Sequence, residues 1–396
     1  MELPAAEVSD LDLLFVIDNS GSMEDEQTSL KDNFDKFIEI LSTIEGGLPN
    51  IHIGVVSSDM GTMNGKTFVN CSQLGDGGAL HTSPQLPGVT YLEVLRGRAP
   101  SFPGTLSSAF QALASVGIEG CDMEAHLMSM KRALEPSRNP GFLRAGAALA
   151  VILIADEDDC SLKDGGGGFF DQMDLTRVRS SWSCFRSGTV CDGFRDPSVL
   201  GTRPNCRPNE TSPFSASVAE MIAFLKGLKP EDQLIVAGIV GTPGPVTVTA
   251  SSGALDIEKS CSVGGTNGAR PATRLDAFVQ GFRHSLVTSI CKEDLGDPVR
   301  QVASLVAGTL GTRCFQAEVA EPHSCSVSVV TAAGTPDEVR TPISECDASH
   351  TVKPCWSLAP DPVACATTST HLALSLDRGG AVPGIGTRVV AECVTR

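Results

Sequence analysis

The sequence predicts an α/β protein: an open, mostly parallel, doubly wound sheet followed by a small carboxy-terminal β-rich module tied by disulfides. Three observations carry this. Continuous apolar runs alternate with stretches in which apolar residues recur every three or four positions. That is the pattern of strands covered on both faces and of the helices that cover them. From about residue 320 helical periodicity stops, and short β-like runs alternate with Pro, Asp and Gly. Cysteines crowd the same stretch, five of 14 lying beyond position 320. A chain of 396 residues also exceeds the size at which one core stops growing, so two domains are expected, at 8–312 and 313–396.

Residues 11–17 form an apolar run that reads as a buried strand. Over 24–44, Leu30, Phe34, Phe37, Ile38, Leu41 and Ile44 make one helical stripe. Glu24, Asp25 and Glu26 open that helix where its dipole favours acids, and Gly46 and Gly47 close it. A second strand is expected at 51–56. Residues 61–103, rich in Gly, Pro and polar groups, read as an insertion with room for a hairpin. Helices are expected at 106–116 and 123–134, and the most apolar strand at 147–155, ending on Asp156. A second insertion, 160–213, holds four cysteines, and its glycine run at 165–168 reads as a flexible loop. Helix at 218–228, strand at 234–240 and helices at 275–290 and 299–310 complete the larger domain. In the smaller module, 325–331 and 371–376 read as strands.

The 14 cysteines include no CxxC pair, which removes the usual zinc and thioredoxin signatures. Eight precede residue 312 and six follow it, so each part can close its own bridges. An even count without metal spacing reads as a disulfide framework in an oxidising compartment: secreted, periplasmic or at the cell surface. The opening MELPAAEVSD has neither a basic start nor an apolar core, so any export or lipoprotein leader is expected to have been removed. The longest apolar run, 145–155, is too short to span a bilayer, and no transmembrane segment is expected. A formal net charge of −17 argues against nucleic acid and polybasic membrane docking, and suits divalent cations.

The candidate site is DNSGS, residues 18–22, directly after the first strand. In an open α/β sheet, ligands bind beyond the carboxyl ends of the strands. Asp18 lies at one such end and Asp156 at another, with Ser20 and Ser22 in the turn before the first helix. Two carboxylates and two hydroxyls are hard oxygen ligands, suited to Mg, Mn or Ca rather than zinc. An Asx turn capping a helix is the simpler reading of DNSGS alone, and the second aspartate tips the balance.

Apolar strand, DxSxS and amphipathic helix together resemble the von Willebrand factor type A domain, whose metal-ion-dependent adhesion site carries that motif and a second aspartate after the fourth strand. The resemblance covers roughly 8–310. It implies that Asp18, Ser20, Ser22 and Asp156 hold a divalent cation, and that an acidic group of a protein or surface ligand completes the shell. The family also supplies a threonine between the two middle helices. Here that loop reads GIEGCDME, residues 117–124, without a hydroxyl. Glu119 is the first candidate to replace it, with Asp122 and Glu124 as alternatives, and an acidic third ligand favours Ca over Mg. The phrase ADEDDCS at 155–161 and the cysteine-rich tail are also similar to a bacterial subgroup of secreted proteins with this domain. Glu157, Asp158 and Asp159 within that phrase read as a solvated acidic loop.

Three functions compete. The first is an extracytoplasmic binding or adhesion module acting through a bound cation, with no enzymatic step. The second is a disulfide-stapled envelope scaffold with a vestigial metal site. The third is a metal-dependent hydrolase, for which the haloacid-dehalogenase-like phosphatases offer the nearest analogy. They need a carboxylic acid two residues after the aspartate, and Ser20 stands there. No HExxH or GxSxG occurs, so no catalytic residue is assigned, and the seven histidines read as surface or satisfied core. The loop at 61–67 is one residue too short for a phosphate loop, and nucleotide cofactors are not expected.

Overall fold

The computed structural model describes residues 2–3, 10–42, 44, 48–63, 70–95, 98–173, 177–194, 196–263, 268–311, 313–315, 319, 324–331, 338–347, 351–360, 370–377 and 388–394. The chain divides into two compact units. One comprises 11–38 and 51–302; the other comprises 1–10, 39–50 and 303–396. The sequence suggested a single cut at 312, whereas the second unit also takes in two amino-terminal segments.

The first unit is built on a six-stranded sheet. Its strands are β1 (Leu11–Ile17), β2 (Ile51–Ser57), β3 (Leu92–Val94), β4 (Ala148–Ala155), β5 (Leu234–Val240) and β6 (His284–Ser289), in the spatial order β6-β5-β4-β1-β2-β3. All neighbours run parallel except β3, which pairs antiparallel with β2. This is the doubly wound order, and the chain reverses its direction of travel across the sheet between β1 and β4. Both strands are fully buried, which explains their unbroken apolar sequence.

Side chains of β1 alternate between two cores. Leu14 and Val16 enter the core beneath helices α3 (His126–Ala133), α5 (Val218–Leu228) and α6 (Thr273–Val279). Phe15 points the other way. It meets Phe34 and Phe37 of α1 (Glu24–Leu41) and Phe110 of α2 (Leu106–Ala114) at ring-centroid distances of 6.1, 5.9 and 4.8 Å. Gly46 and Gly47, expected to close α1, lie outside the described residues.

Three expectations need correction. The helix expected at 275–290 is the short α6 followed by β6, which pairs with β5 from His284↔Ile235 to Ser289↔Val240. Helical spacing holds from Leu275 to Phe282, and then the alternating, β-branched segment takes over at the sheet edge, where it is only half-buried. The glycine run is no loose loop: Gly166–Gln172 forms a 3-10 turn that buries Phe169 and Phe170. Among its described residues, the insertion at 61–103 supplies β3 as a sheet edge rather than a hairpin of its own.

The second insertion holds α4 (Ser180–Gly188) and a strand, Gly201–Arg203, that joins the hairpin Val246–Ser251 and Ala254–Ile257 in a separate three-stranded sheet. Ser252 and Gly253 turn that hairpin with φ of 52° and 83°, as a tight two-residue connection requires. Cys71–Cys121 and Cys160–Cys184 pack with Met123, Leu162, Phe169 and Phe170 in one small cluster, so both insertions share a core with the 117–124 loop. Cys191–Cys206 and Cys261–Cys291 complete four bridges among the first eight cysteines.

The second unit carries a seven-stranded sheet. It contains β7 (Cys325–Thr331), β8 (Val339–Glu345), β9 (Cys355–Pro360), β10 (Leu372–Asp377) and β11 (Arg388–Cys393), with Glu2–Leu3 and Arg313–Cys314 at its two edges. Pairing is antiparallel apart from β8 with β9. Val327, Trp356, Leu374 and Val389 anchor its core, and Cys325–Cys393 and Cys346–Cys355 staple it. Helix α7 (Gly296–Gly311) contains one of the points at which the units divide, as does α1. Six disulfides among the described residues fit an oxidising compartment. Among the described residues, no helix is long and apolar enough to cross a membrane.

Candidate metal centre

Asp18 is the first residue beyond β1, and Asp156 the first beyond β4. The two strands are adjacent and in register, Ile17 opposite Ile154, so both carboxylates leave the sheet at the point where its winding reverses. The Asp18 backbone N–H extends the ladder by donating to Ile154 O at 2.9 Å. On the other strand, the Asp156 carbonyl accepts from Arg270 N at 2.8 Å.

The turn after Asp18 is held from several sides. Ser20 N donates to Asp18 Oδ1 at 2.8 Å, the Asx turn read from the sequence. The Ser20 and Ser22 hydroxyls stand 3.2 Å apart. Gln27 of α1 donates through Nε2 to Asp18 O at 3.0 Å and to Gly117 O at 2.8 Å, tying the DxSxS turn to the 117–124 loop. Gly120 N donates to Asn19 O at 2.9 Å. A Cβ on Gly120 would stand within 2.6 Å of the Asn19 side chain, so the two segments close this tightly only with glycine there.

These groups are buried and incompletely satisfied. Asp18 is 0% exposed, Ser20 and Asp156 4%, while Ser22 is exposed. Asp18 Oδ2 and Asp156 Oδ1 are buried without a hydrogen-bond partner. Burial, with the negative charges of Asp18 and Glu157, holds the Asp156 carboxyl well above the usual carboxylate range. Burial likewise raises Glu124 well above that range, with Glu157, Asp18 and Asp156 adding to the effect. Such mutual repulsion among buried acids is what a bound cation would relieve. Orphaned carboxylate oxygens beside a hydroxyl pair form a donor set that fits a hard divalent cation. Among the described residues, no three His, Cys, Asp or Glu side chains are gathered closely enough to hold an ion by themselves. Hydroxyls and water would have to complete the shell.

Of the three acidic candidates in the loop, Glu119 is exposed, Asp122 is half-buried and Glu124 is buried. Burial, and then the charge of Asp18, raises the Asp122 carboxyl. Glu124 is therefore the loop acid most deeply embedded beside the aspartates, not Glu119.

The reading of Glu157, Asp158 and Asp159 as a solvated loop is overturned. Glu157 pairs with Arg270 and its side chain is 13% exposed. Asp158 accepts from the backbone N–H groups of Arg274 and Leu275 at the start of α6, at 2.9 and 3.1 Å. Asp159 accepts from Leu127 N of α3 at 3.0 Å and pairs with the buried Arg274 at 2.9 Å. The acidic run thus anchors two helices around the site.

His126 is the residue that pattern reading missed. It opens α3, is 0% exposed, and neither ring nitrogen has a hydrogen-bond partner. Its Nε2 lies 3.6 Å from Asp18 Oδ2. Burial alone would lower the His126 pKa, but Asp18, with Asp159 and Asp158, outweighs burial and the net shift is upward. Other histidines are satisfied as expected: His52 contacts Phe142 O and Glu93, and His81 contacts Leu113 O.

No family model matches the chain, and no curated protein matches it. Among solved structures it is similar to a von Willebrand factor type A protein from Catenulispora acidiphila, with 11% identity and a TM-score of 0.34, covering 98% of this chain and 58% of that one. It is also similar to the pilus adhesin SpaC from Lactobacillus rhamnosus GG, with 11% identity and a TM-score of 0.34, covering 99% of this chain and 40% of that one. A third is an aerotolerance-related membrane protein from Bacteroides fragilis, with 10% identity and a TM-score of 0.27, covering 74% of this chain and 98% of that one. The chain thus spans about half the length of the first two. The von Willebrand factor type A-like character of the fold rests on the strand order, with DxSxS after β1 and an aspartate after β4.

Proposed function

We propose that the chain is an extracytoplasmic binding module that engages a protein or surface ligand through one divalent cation. Asp18, Ser20 and Ser22 hold the ion, with Asp156 bound directly or through water. The cation supplies a positive charge to which an acidic group of the partner can attach. The observation that carries this reading is the pair of buried, unpartnered carboxylate oxygens on Asp18 and Asp156, at the carboxyl ends of two adjacent parallel strands. Burying such atoms without a partner costs about 1–3 kcal/mol each, and more when charged, so a ligand that satisfies both is favoured. The scaffold alternative draws on the absence of a loop hydroxyl at 117–124 and on the six disulfides. It predicts no cation dependence.

Calorimetric titration of Mg, Ca and Mn into the oxidised protein, beside an Asp18→Ala variant, separates the two. Saturable binding by the parent and none by the variant supports the module. A folded parent that binds none of the ions supports the scaffold.

A further inference from the structure

We infer that His126 is a direct ligand of the ion held at Asp18, so that the centre selects a borderline transition cation such as Co or Zn over Mg and Ca. This deepens the proposed function and rests on there being an ion at Asp18.

The starting point is a buried imidazole whose ring nitrogens make no hydrogen bond. His126 is 0% exposed, and both of its ring nitrogens lack a hydrogen-bond partner. Buried polar side chains are nearly always paired, and one left unmade needs a reason. Across from it stands Asp18 Oδ2, equally buried and equally unpartnered, at 3.6 Å. The other oxygen, Oδ1, is already engaged by Ser20 N, so the free one is the one facing His126.

The contact lies within ion-pair range but is too long for a hydrogen bond. Charge-assisted N–H···O contacts close to about 2.7–2.9 Å, shorter than the 3.6 Å between these two groups. A shared ion explains the gap. Two donors bound at about 2.0–2.2 Å to one tetrahedral ion stand about 3.3–3.6 Å from each other, which matches the observed spacing. Both orphaned atoms would then be satisfied at once.

His126 is also held in place. Ala125 N donates to Ser58 O, Leu127 N to Asp159 Oδ1 at 3.0 Å and Met128 N to Ser161 Oγ at 2.8 Å. Successive backbone groups around the histidine are thus fixed by strand ends and by the acidic run, as a preorganised ligand requires. The residue lies two positions beyond the loop in which no hydroxyl was found, and so supplies a donor from that side of the site. Imidazole changes the selectivity. Mg and Ca take oxygen ligands almost exclusively, whereas Co and Zn accept imidazole nitrogen readily.

The test uses the full oxidised chain, stripped of metal with a chelator. Co is titrated while its visible absorption is followed, and Ca, Mg, Mn and Zn compete. The parent is expected to bind one Co with at least tenfold preference over Ca. His126→Gln should lose at least tenfold in Co affinity while holding Ca at the parent's level, and Asp18→Ala should lose both. In the Co-loaded parent, strongly shifted imidazole proton resonances should report the ligand without any substitution, which covers a variant that fails to fold. Unchanged Co affinity in a folded His126→Gln, or no shifted imidazole resonance in the parent, overturns the inference while leaving an Asp18-dependent ion intact. Binding of no ion at all by the folded parent overturns both.

Discussion

Replacing Arg274 by Gln should destabilise the α/β unit more than any surface substitution. The guanidinium is 1% exposed and the Asp159 carboxylate 0%. It donates to Asp159 Oδ2 at 2.9 and 3.2 Å, to Ala216 O at 2.8 Å and to Gly188 O at 3.1 Å. Glutamine can replace at most two of these bonds and no part of the charge. Asp159 would remain buried with Leu127 N and Ser161 Oγ as donors but no cation. Breaking one partner of a buried pair costs about 3–5 kcal/mol. Asp159→Asn should cost a similar amount, and the double variant less than the sum, with coupling of about 2 kcal/mol or more. The assay is urea unfolding followed by tryptophan fluorescence. The chain has two tryptophans, Trp182 in the first unit and Trp356 in the second. A Trp356→Phe background therefore lets Trp182 report the α/β unit alone. A loss below about 1 kcal/mol for Arg274→Gln, or strict additivity with Asp159→Asn, would show that the pair does not hold the helix ends as described.

Metal-free protein should lose stability as pH rises from about 4 to about 7. Burial raises Glu157 from 4.5 to about 7 and Asp158 from 3.8 to about 6, so the folded state binds more protons than the unfolded one across that window. The stability these groups contribute is fully present below about pH 4 and lost by about pH 7. Glu157 alone accounts for about 3 kcal/mol at ~1.4 kcal/mol per pH unit, and Glu157→Gln should flatten the slope by that amount in urea midpoints between pH 4 and 8. A slope unchanged in the variant would contradict the shift. Replacing Cys71 and Cys121 with serine opens a bridge between residues 50 apart in sequence. It should cost up to about 4 kcal/mol by chain entropy, read as a lower thermal midpoint. Because that bridge anchors the 117–124 loop, the same pair of substitutions should also weaken ion binding; unchanged ion affinity would separate loop and site.

How much of this could be read from the sequence depended on whether partners were local. The strands β1 and β4 were legible because a strand covered on both faces has no polar alternation to confuse it. The DxSxS turn was legible because its Asx hydrogen bond lies within two residues. By contrast, β6 was hidden because Leu275, Phe278, Val279 and Phe282 keep helical spacing up to its start. Glu157 and Asp159 looked solvated because their partners, Arg270 and Arg274, lie 113 and 115 residues away. The spacing of those two arginines by four residues was the available signal, and it has no meaning until α6 is placed. His126 carried no signal at all: only the fold brings the first residue of α3 against Asp18, just beyond β1. Glu119, the candidate chosen in the loop, differs from Glu124 in burial, which spacing alone does not resolve.

The central claim is that one ion is held at Asp18. Equilibrium dialysis of the oxidised chain against Mn, with bound metal counted per chain, tests it without any knowledge of the partner. One ion per parent chain, and none in an equally folded Asp18→Ala variant, is the predicted result. Equal counts in both proteins, or none in the parent, would contradict it.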